Sequence, residues 1–195
     1  MADRATDKKI FVYTGPDGSG RKTVADAVGL TLGLRKVISY TTRAKRPVEE
    51  DGQDYHFLSK GEFEEAVSRG EFVEYLTIDG NEYGIKQKDI EELFEKGSVY
   101  LILNRHGADI LRNTYGDSVV RIFIYADRNT VAQRQREYGL DKAEIDRHLS
   151  RFEEDMAYGA SCEHSVENIG DLGHTVFHVT NLLEDYLQRD LVDKD

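Results

Sequence analysis

Between Ile10 and Thr23 the chain reads I-F-V-Y-T-G-P-D-G-S-G-R-K-T. Gly15, Gly18 and Gly20 free the backbone to reach positive φ and to turn successive N–H groups inward. A helix starting near Arg21 adds the positive end of its dipole, so the stretch suits a polyphosphate. The spacing of Gly15 and Gly20 is that of the phosphate loop G-x-x-x-x-G-K-[ST]. Arg21, however, stands at the lysine position and Lys22 at the hydroxyl position, with Thr23 the only hydroxyl nearby. A plain glycine-rich turn is the bland alternative. Three glycines in six residues, placed between an apolar run and a helical segment, favour the phosphate loop.

The elements that must position this loop follow from periodicity. Ile10 to Tyr13 predicts a buried strand, and Val24 to Leu34 a helix ending near Gly33. Val37 to Tyr40 predicts a second strand, followed by the basic loop T-T-R-A-K-R-P. Gln53 to Leu58 and Glu71 to Ile78 read as extended, with a turn at Asp79-Gly80 that sends the chain back toward Tyr83. Between them Ser59-x-x-Glu62 is a capping box opening a helix to about Arg69, closed by Gly70. Ile90, Leu93 and Phe94 give helical spacing up to Gly97, and Val99 to Leu103 and Val119 to Tyr125 are apolar runs of the kind buried in a parallel sheet. From Asp127 to Tyr158 the pattern is helical, charged and broken near Gly139, as a lid would be. A last strand is expected at Thr175 to Val179 and a last helix at Asn181 to Leu191. Strands alternating with helices predict an α/β domain with a parallel sheet.

Residues Ser39 to Gly84 carry a resemblance to a known family. S-x-T-T-R at Ser39 to Arg43, Arg46, D-Y-x-F at Asp54 to Phe57, E-F-x-E at Glu71 to Glu74 and G-N-x-Y-G at Gly80 to Gly84 stand in the order and spacing of the GMP-binding lobe of the guanylate kinase family. The resemblance runs from Ile10 to about Leu183. It implies a P-loop NTPase-type parallel sheet flanked by helices, with a core at 9–36 and 86–195, an inserted GMP-binding lobe at about 37–85 and a helical lid at about 127–149. It implies transfer of the ATP γ-phosphoryl group to GMP, with Mg²⁺ accompanying ATP.

Physical chemistry gives the matched residues sensible work. Arg43 and Arg46 offer two planar forks to a monophosphate. Tyr55 and Tyr83 can each donate an O–H to the remaining phosphate oxygens. Glu74 can accept both N1–H and N2–H of guanine, whereas adenine presents an acceptor at N1. Ser39 is expected to bond the base as the family's serine does, and Asn104 completes the GMP set. On the ATP side stand Gly15, Gly18, Gly20, Arg21, Lys22 and Thr23. The cations expected at the transferring group are Arg21, Arg134, Arg136 and Arg147.

The same half departs from the family pattern. Arg21 keeps the charge of the loop lysine in a bulkier group, and Lys22 places an ammonium where a hydroxyl would ligate Mg²⁺. The family's D-x-D-x-Q-G becomes I-L-N-R-H-G, putting Ile102 and Asn104 at the aspartate positions. Ile85 replaces a small hydroxyl residue, and the later lid arginine falls on His148. These changes leave two readings open: a kinase of reduced activity, or a degenerate module that binds GMP, a guanine nucleotide or a phosphorylated partner.

Composition bounds the rest. At 195 residues the chain can bury one core. The net charge of −11 opposes general binding to nucleic acid. Residues 1 to 46 nevertheless hold ten Lys/Arg against four Asp/Glu, which gathers positive charge around the loop and Arg43 to Arg46. Cys162 is the only cysteine, which excludes an intrachain disulfide and a cysteine metal cluster and fits a reducing cytosol. No run approaches 18 apolar residues and Met1 to Lys9 is polar, so the expectation is a soluble cytoplasmic protein whose partners are small nucleotides, with no membrane segment. Of six histidines only His174 and His178 are four apart, on the expected last strand, where a structural role is favoured over zinc.

Overall fold

A computed structural model describes residues 8–187. Among them the chain forms β1 (Ile10–Thr14), α1 (Arg21–Leu32), β2 (Arg35–Lys36), β3 (Tyr40–Thr41), β4 (His56–Phe57), α2 (Lys60–Ser68), β5 (Phe72–Ile78) and β6 (Asn81–Lys86). It continues through α3 (Gln87–Glu95), β7 (Val99–Ile102), α4 (Arg105–Tyr115), β8 (Val119–Tyr125), α5 (Arg128–Tyr138), α6 (Lys142–Ser150), α7 (Phe152–Tyr158), β9 (His164–Glu167) and α8 (Leu172–Tyr186). The central sheet is parallel throughout, in the order β2-β7-β1-β8-β9. A smaller mixed sheet, β4-β3-β6-β5, takes its strands from either side of α2, within the sequence between α1 and α3.

β1 lies in the middle of its sheet and every residue of it is buried. Its side chains alternate between two cores. Phe11 and Tyr13 join Val24, Val28, Val179 and Leu183 from α1 and α8, while Ile10 and Val12 join Ile90, Ala108 and Leu111 from α3 and α4. A strand covered on both faces has no polar positions, which is why the run is continuously apolar. Its C-terminal end therefore delivers the glycine loop at a fixed height above the sheet.

In the smaller sheet, Asp79 (φ 50) and Gly80 (φ 79) make the tight turn joining β5 to β6. Ser59 and Glu62 form the reciprocal capping box that starts α2. The stretch read as one strand from Val37 to Tyr40 is not a strand except at Tyr40. Arg35–Lys36 pairs with β7 in the central sheet, Tyr40–Thr41 pairs with β4 and β6 in the small one, and Val37 to Ser39 is the crossover between them.

The C-terminal reading requires correction. Thr175 to Val179 is not a strand but the middle of α8. The β-branched content of T-V-F-H-V suggested extension, yet Thr175, Val179 and Leu183 are buried at four-residue intervals against α1 while His174, Phe177 and His178 are exposed. Burial follows the helical period, and packing of that stripe overrides β propensity. The last strand of the sheet is His164–Glu167, beside β8. The expected helix to Leu191 corresponds to the second half of α8, and 188–191 lie outside the described residues. The lid segment is three helices, with Asp127 and Asp141 capping α5 and α6.

Candidate active site

The glycine loop runs from β1 to α1 with Gly15, Gly18 and Gly20 all at positive φ. A side chain at Gly15 would run into the Ile124 carbonyl of the neighbouring strand, and a Cβ at Gly20 would come within 2.5 Å of Asn168 Nδ2. The loop is thus clamped from below and from the side. Ser19 O accepts from Asn168 Nδ2 (2.9 Å) and from Arg134 Nη1 (3.2 Å), and Arg134 Nη2 also donates to Asn168 O (2.7 Å). Asp17 O accepts from Gln135 Nε2 (3.2 Å). α1 begins at Gly20 with no side-chain cap, so its first N–H groups face the loop's concave side, an arrangement that favours an anion.

Two adjoining clefts open over this loop. The larger, about 680 Å³, is lined by all seven residues expected on the GMP side: Ser39, Arg43, Arg46, Tyr55, Glu74, Tyr83 and Asn104. The second, about 530 Å³, is lined by Gly18, Gly20, Arg21, Lys22, Thr23 and Arg134, and it meets the first along Ser39, Arg43, Arg46 and Tyr55, which line both. Arg21 borders both, and Gly15 and Arg147 border the larger. Arg136 is exposed in the last turn of α5 and lines neither cleft.

The larger cleft is held by its own carboxylates. Glu49 grips Arg43 through both oxygens (3.0 and 2.7 Å) and also accepts from Arg46 N (2.8 Å). Burial alone would raise the Glu49 pKa, but the bonds from Arg43 and Arg46 bring it below the usual range. Arg43 lies 5.4 Å above the Tyr55 ring, which packs edge-on against Tyr83 at 6.1 Å. Burial raises the Tyr55 pKa, so its hydroxyl remains a donor. Arg46 reaches Glu144 on α6 (2.5 Å), tying the small sheet to the lid.

Glu74 differs from all of these. It is 5% exposed, its Oε2 has no hydrogen-bond partner, and burial pushes its carboxyl pKa up to about 7. Gly107 in the first turn of α4 gives it room, because a Cβ there would lie only 3.3 Å from Oε2. Asn104 lines the cleft but is also the N-cap of α4, its Oδ1 accepting from Gly107 N (2.9 Å). Only the NH₂ half of that amide is left to meet a ligand.

A family model described as guanylate kinase matches residues 7–186. The guanylate kinase of Symbiobacterium thermophilum is 35% identical over 170 residues, covering 86% of this chain and 80% of that protein. That of Chlorobaculum tepidum is 32% identical over 191 residues, covering 95% and 97%. The chain belongs to the guanylate kinase family. The crystal structure of guanylate kinase from Anaplasma phagocytophilum superposes with a TM-score of 0.76 at 26% identity, covering 93% of this chain and 87% of that one.

Against the guanylate kinase pattern, the departures have definite places. Arg21 folds back to donate to the Gly15 carbonyl and to Asp17 (3.4 Å). Ile102 puts an apolar side chain into both clefts, and Ile85 is fully buried in the core. His148 Nδ1–H donates to Gln135 Oε1 at 2.5 Å; burial lowers its pKa, leaving it neutral at pH 7. Another guanidinium stands three residues on, at the C-terminal end of α6. Arg151 reaches Asp17 of the glycine loop (3.2 Å) and Asp79 at the β5–β6 turn (3.0 Å), joining lid, loop and small sheet.

Sequence reasoning did not single out Arg151, Asp17, Glu49, Glu144, Gln135 or Asn168 for the site. Asn168 follows a strand that was not recognised, and Arg151, Glu144 and Gln135 are ordinary charged or polar residues whose partners are remote in sequence. The one available signal was Glu49, three residues beyond Arg46 in a basic loop.

The residues at the metal position do not fit a divalent cation. Lys22 presents an ammonium there, and the carboxylates within its reach, Asp26 and Asp54, both bind it. Among the described residues no group of three or more His, Cys, Asp or Glu side chains is placed to hold a metal ion.

Proposed function

We propose that this chain phosphorylates GMP with ATP, the larger cleft taking the acceptor and the glycine-loop cleft the donor. The observation that carries the acceptor assignment is Glu74, a buried carboxylate with an unpartnered oxygen in the wall of the cleft that holds Arg43, Arg46, Tyr55 and Tyr83. Guanine N1–H and N2–H would satisfy it, whereas adenine would leave it facing a lone pair, at a cost of about 1 to 3 kcal/mol or more.

In this reading the two arginine forks and two phenolic hydroxyls fix the acceptor phosphate. The loop N–H groups with Arg21 hold the donor phosphates. Arg134, Arg147 and Arg151, from the lid side, gather on the transferring group. Catalysis is positioning and charge stabilisation, with no covalent intermediate. The metal that accompanies ATP in guanylate kinases finds no ligand set at Lys22, and no step is assigned to it. A cytosolic setting, with small nucleotides as partners, agrees with the single cysteine and with the absence of any helix long and apolar enough to cross a membrane among the described residues.

A coupled assay of GDP formation from GMP and ATP, run beside AMP, tests the proposal. GDP formation with GMP and none with AMP is expected. Equal turnover of the two acceptors, or of neither, would remove it.

A further inference from the structure

The Lys22 ammonium is a built feature rather than a loose surface charge. It stands 2.9 Å from Asp26 Oδ2 on its own helix and 2.8 Å from Asp54 Oδ1 in the small sheet's loop. Asp26 also binds Lys36 (2.9 Å) and the Tyr100 hydroxyl (3.0 Å), and Asp54 Oδ2 accepts from Glu50 N (2.7 Å). Both carboxylates are therefore fully committed to protein donors. Burial alone would lower the Lys22 pKa, but the bonds from Asp54 and Asp26 raise it well above the usual lysine range. An ammonium carries three N–H donors, and these carboxylates take two. The third is available to the cleft that Lys22 lines with Gly18, Gly20, Arg21 and Arg134.

In a phosphate loop the hydroxyl at this position holds the metal that neutralises the nucleotide phosphates. Here an ammonium occupies that place, and a divalent cation entering beside it would have to displace it from Asp26 and Asp54. Arg21 and Arg134 add two further permanent cations on the same side. These side chains carry part of the charge that a metal would bring, with Lys22 and Arg21 partly offset by their carboxylate partners.

We propose that Lys22 takes the place of the divalent cation on the donor side, so that this chain binds ATP as the metal-free polyanion in preference to the metal complex. The inference rests on the reading that the glycine-loop cleft takes ATP. It goes further in naming the form of the nucleotide and the residue that selects it.

Calorimetric titration with ATP, once in EDTA and once in excess Mg²⁺ at matched ionic strength, decides it. Binding at least threefold tighter in EDTA is expected for the unaltered chain. In Lys22→Ser, which restores a hydroxyl at a half-exposed position, the preference should vanish or invert. Equal or weaker binding in EDTA by the unaltered chain overturns the inference while leaving the ATP assignment standing, and so does a preference that survives in Lys22→Ser. No ATP binding under either condition overturns both.

Discussion

The two clefts hold their cations alike and differ at one buried carboxylate. On the donor side every cation has a protein partner: Arg21 has Asp17 and the Gly15 carbonyl, Lys22 has Asp26 and Asp54, and Arg134 has Ser19 and Asn168. On the acceptor side Arg43 and Arg46 are likewise held, but Glu74 is buried with one oxygen unsatisfied. A cation already paired gives up part of its gain when a phosphate arrives, since one bond is exchanged for another. An unpaired buried carboxylate gains everything when its two donors arrive. Selectivity should therefore concentrate at Glu74, and anchoring should depend on how firmly the arginines are pre-oriented.

The largest way to break this comparison is Arg43→Ala. It removes a charge-assisted fork and leaves Glu49, itself buried, without its main partner. Losing the Arg43 contact to the acceptor phosphate costs about 2 to 5 kcal/mol, so GMP affinity should fall roughly 30- to 5,000-fold, with a smaller loss for ATP. Titration of each nucleotide separately reads this. An equal loss for ATP would mean that Arg43 supports the whole fold rather than the acceptor cleft.

How much of this was legible in the sequence follows from the same contrast. The glycines at positive φ stood out by type and spacing, whereas the paired arginines, Glu74 and the two tyrosines stood out through the motifs that resemble those of the guanylate kinase family. The parallel sheet was readable from its apolar runs. What was hidden depends on the fold bringing remote residues together. Arg151 is one arginine among several until the lid sets it between Asp17 and Asp79, 134 and 72 residues away. Asn168 had no meaning until β9 carried it beneath the loop. The T-V-F-H-V segment misled because β-branched residues fit either element, and only packing against α1 decides.

Glu74 supplies the next test. Its folded pKa is raised to about 7 from an ordinary 4.5 by burial. The fold thus favours the protonated acid: stability from this group is fully present below about pH 4.5 and is lost as pH rises through 7, by roughly 3 kcal/mol at most. Without nucleotide, Glu74→Gln should melt several degrees above the unaltered chain at pH 8, and the gap should close by pH 5. Guanine recognition runs the other way, because it needs the carboxylate. GMP affinity of the unaltered chain, measured relative to Glu74→Gln to remove titration of the phosphate itself, should decline as pH drops below 7. The variant should also lose about ten- to a hundredfold in preference for GMP over AMP. A melting gap independent of pH would show that Glu74 is solvated.

The smallest effect is at the lid. Arg46 and Glu144 meet at 2.5 Å with about a quarter of each side chain exposed, in the only ion pair among the described residues that joins Arg46 to α6. Pairs open to water contribute about 0 to 1 kcal/mol, because solvent screens the attraction and two long side chains must be immobilised. An acceptor phosphate arriving at Arg46 must either share the fork with Glu144 or displace it. The fork has five donors in fixed directions, and a carboxylate seated on one edge blocks the bidentate approach there. Competition should therefore prevail, and Glu144→Gln should bind GMP up to about fivefold more tightly, with the gain shrinking as salt screens the original pair. The acidic side chain is at the same time a link between lid and lobe, so closure would be less well held and turnover should fall even as binding tightens. Weaker GMP binding in Glu144→Gln would mean that Glu144 aims Arg46 at the phosphate rather than competing for it, and the acceptor cleft would then be pre-oriented by carboxylates at both of its arginines.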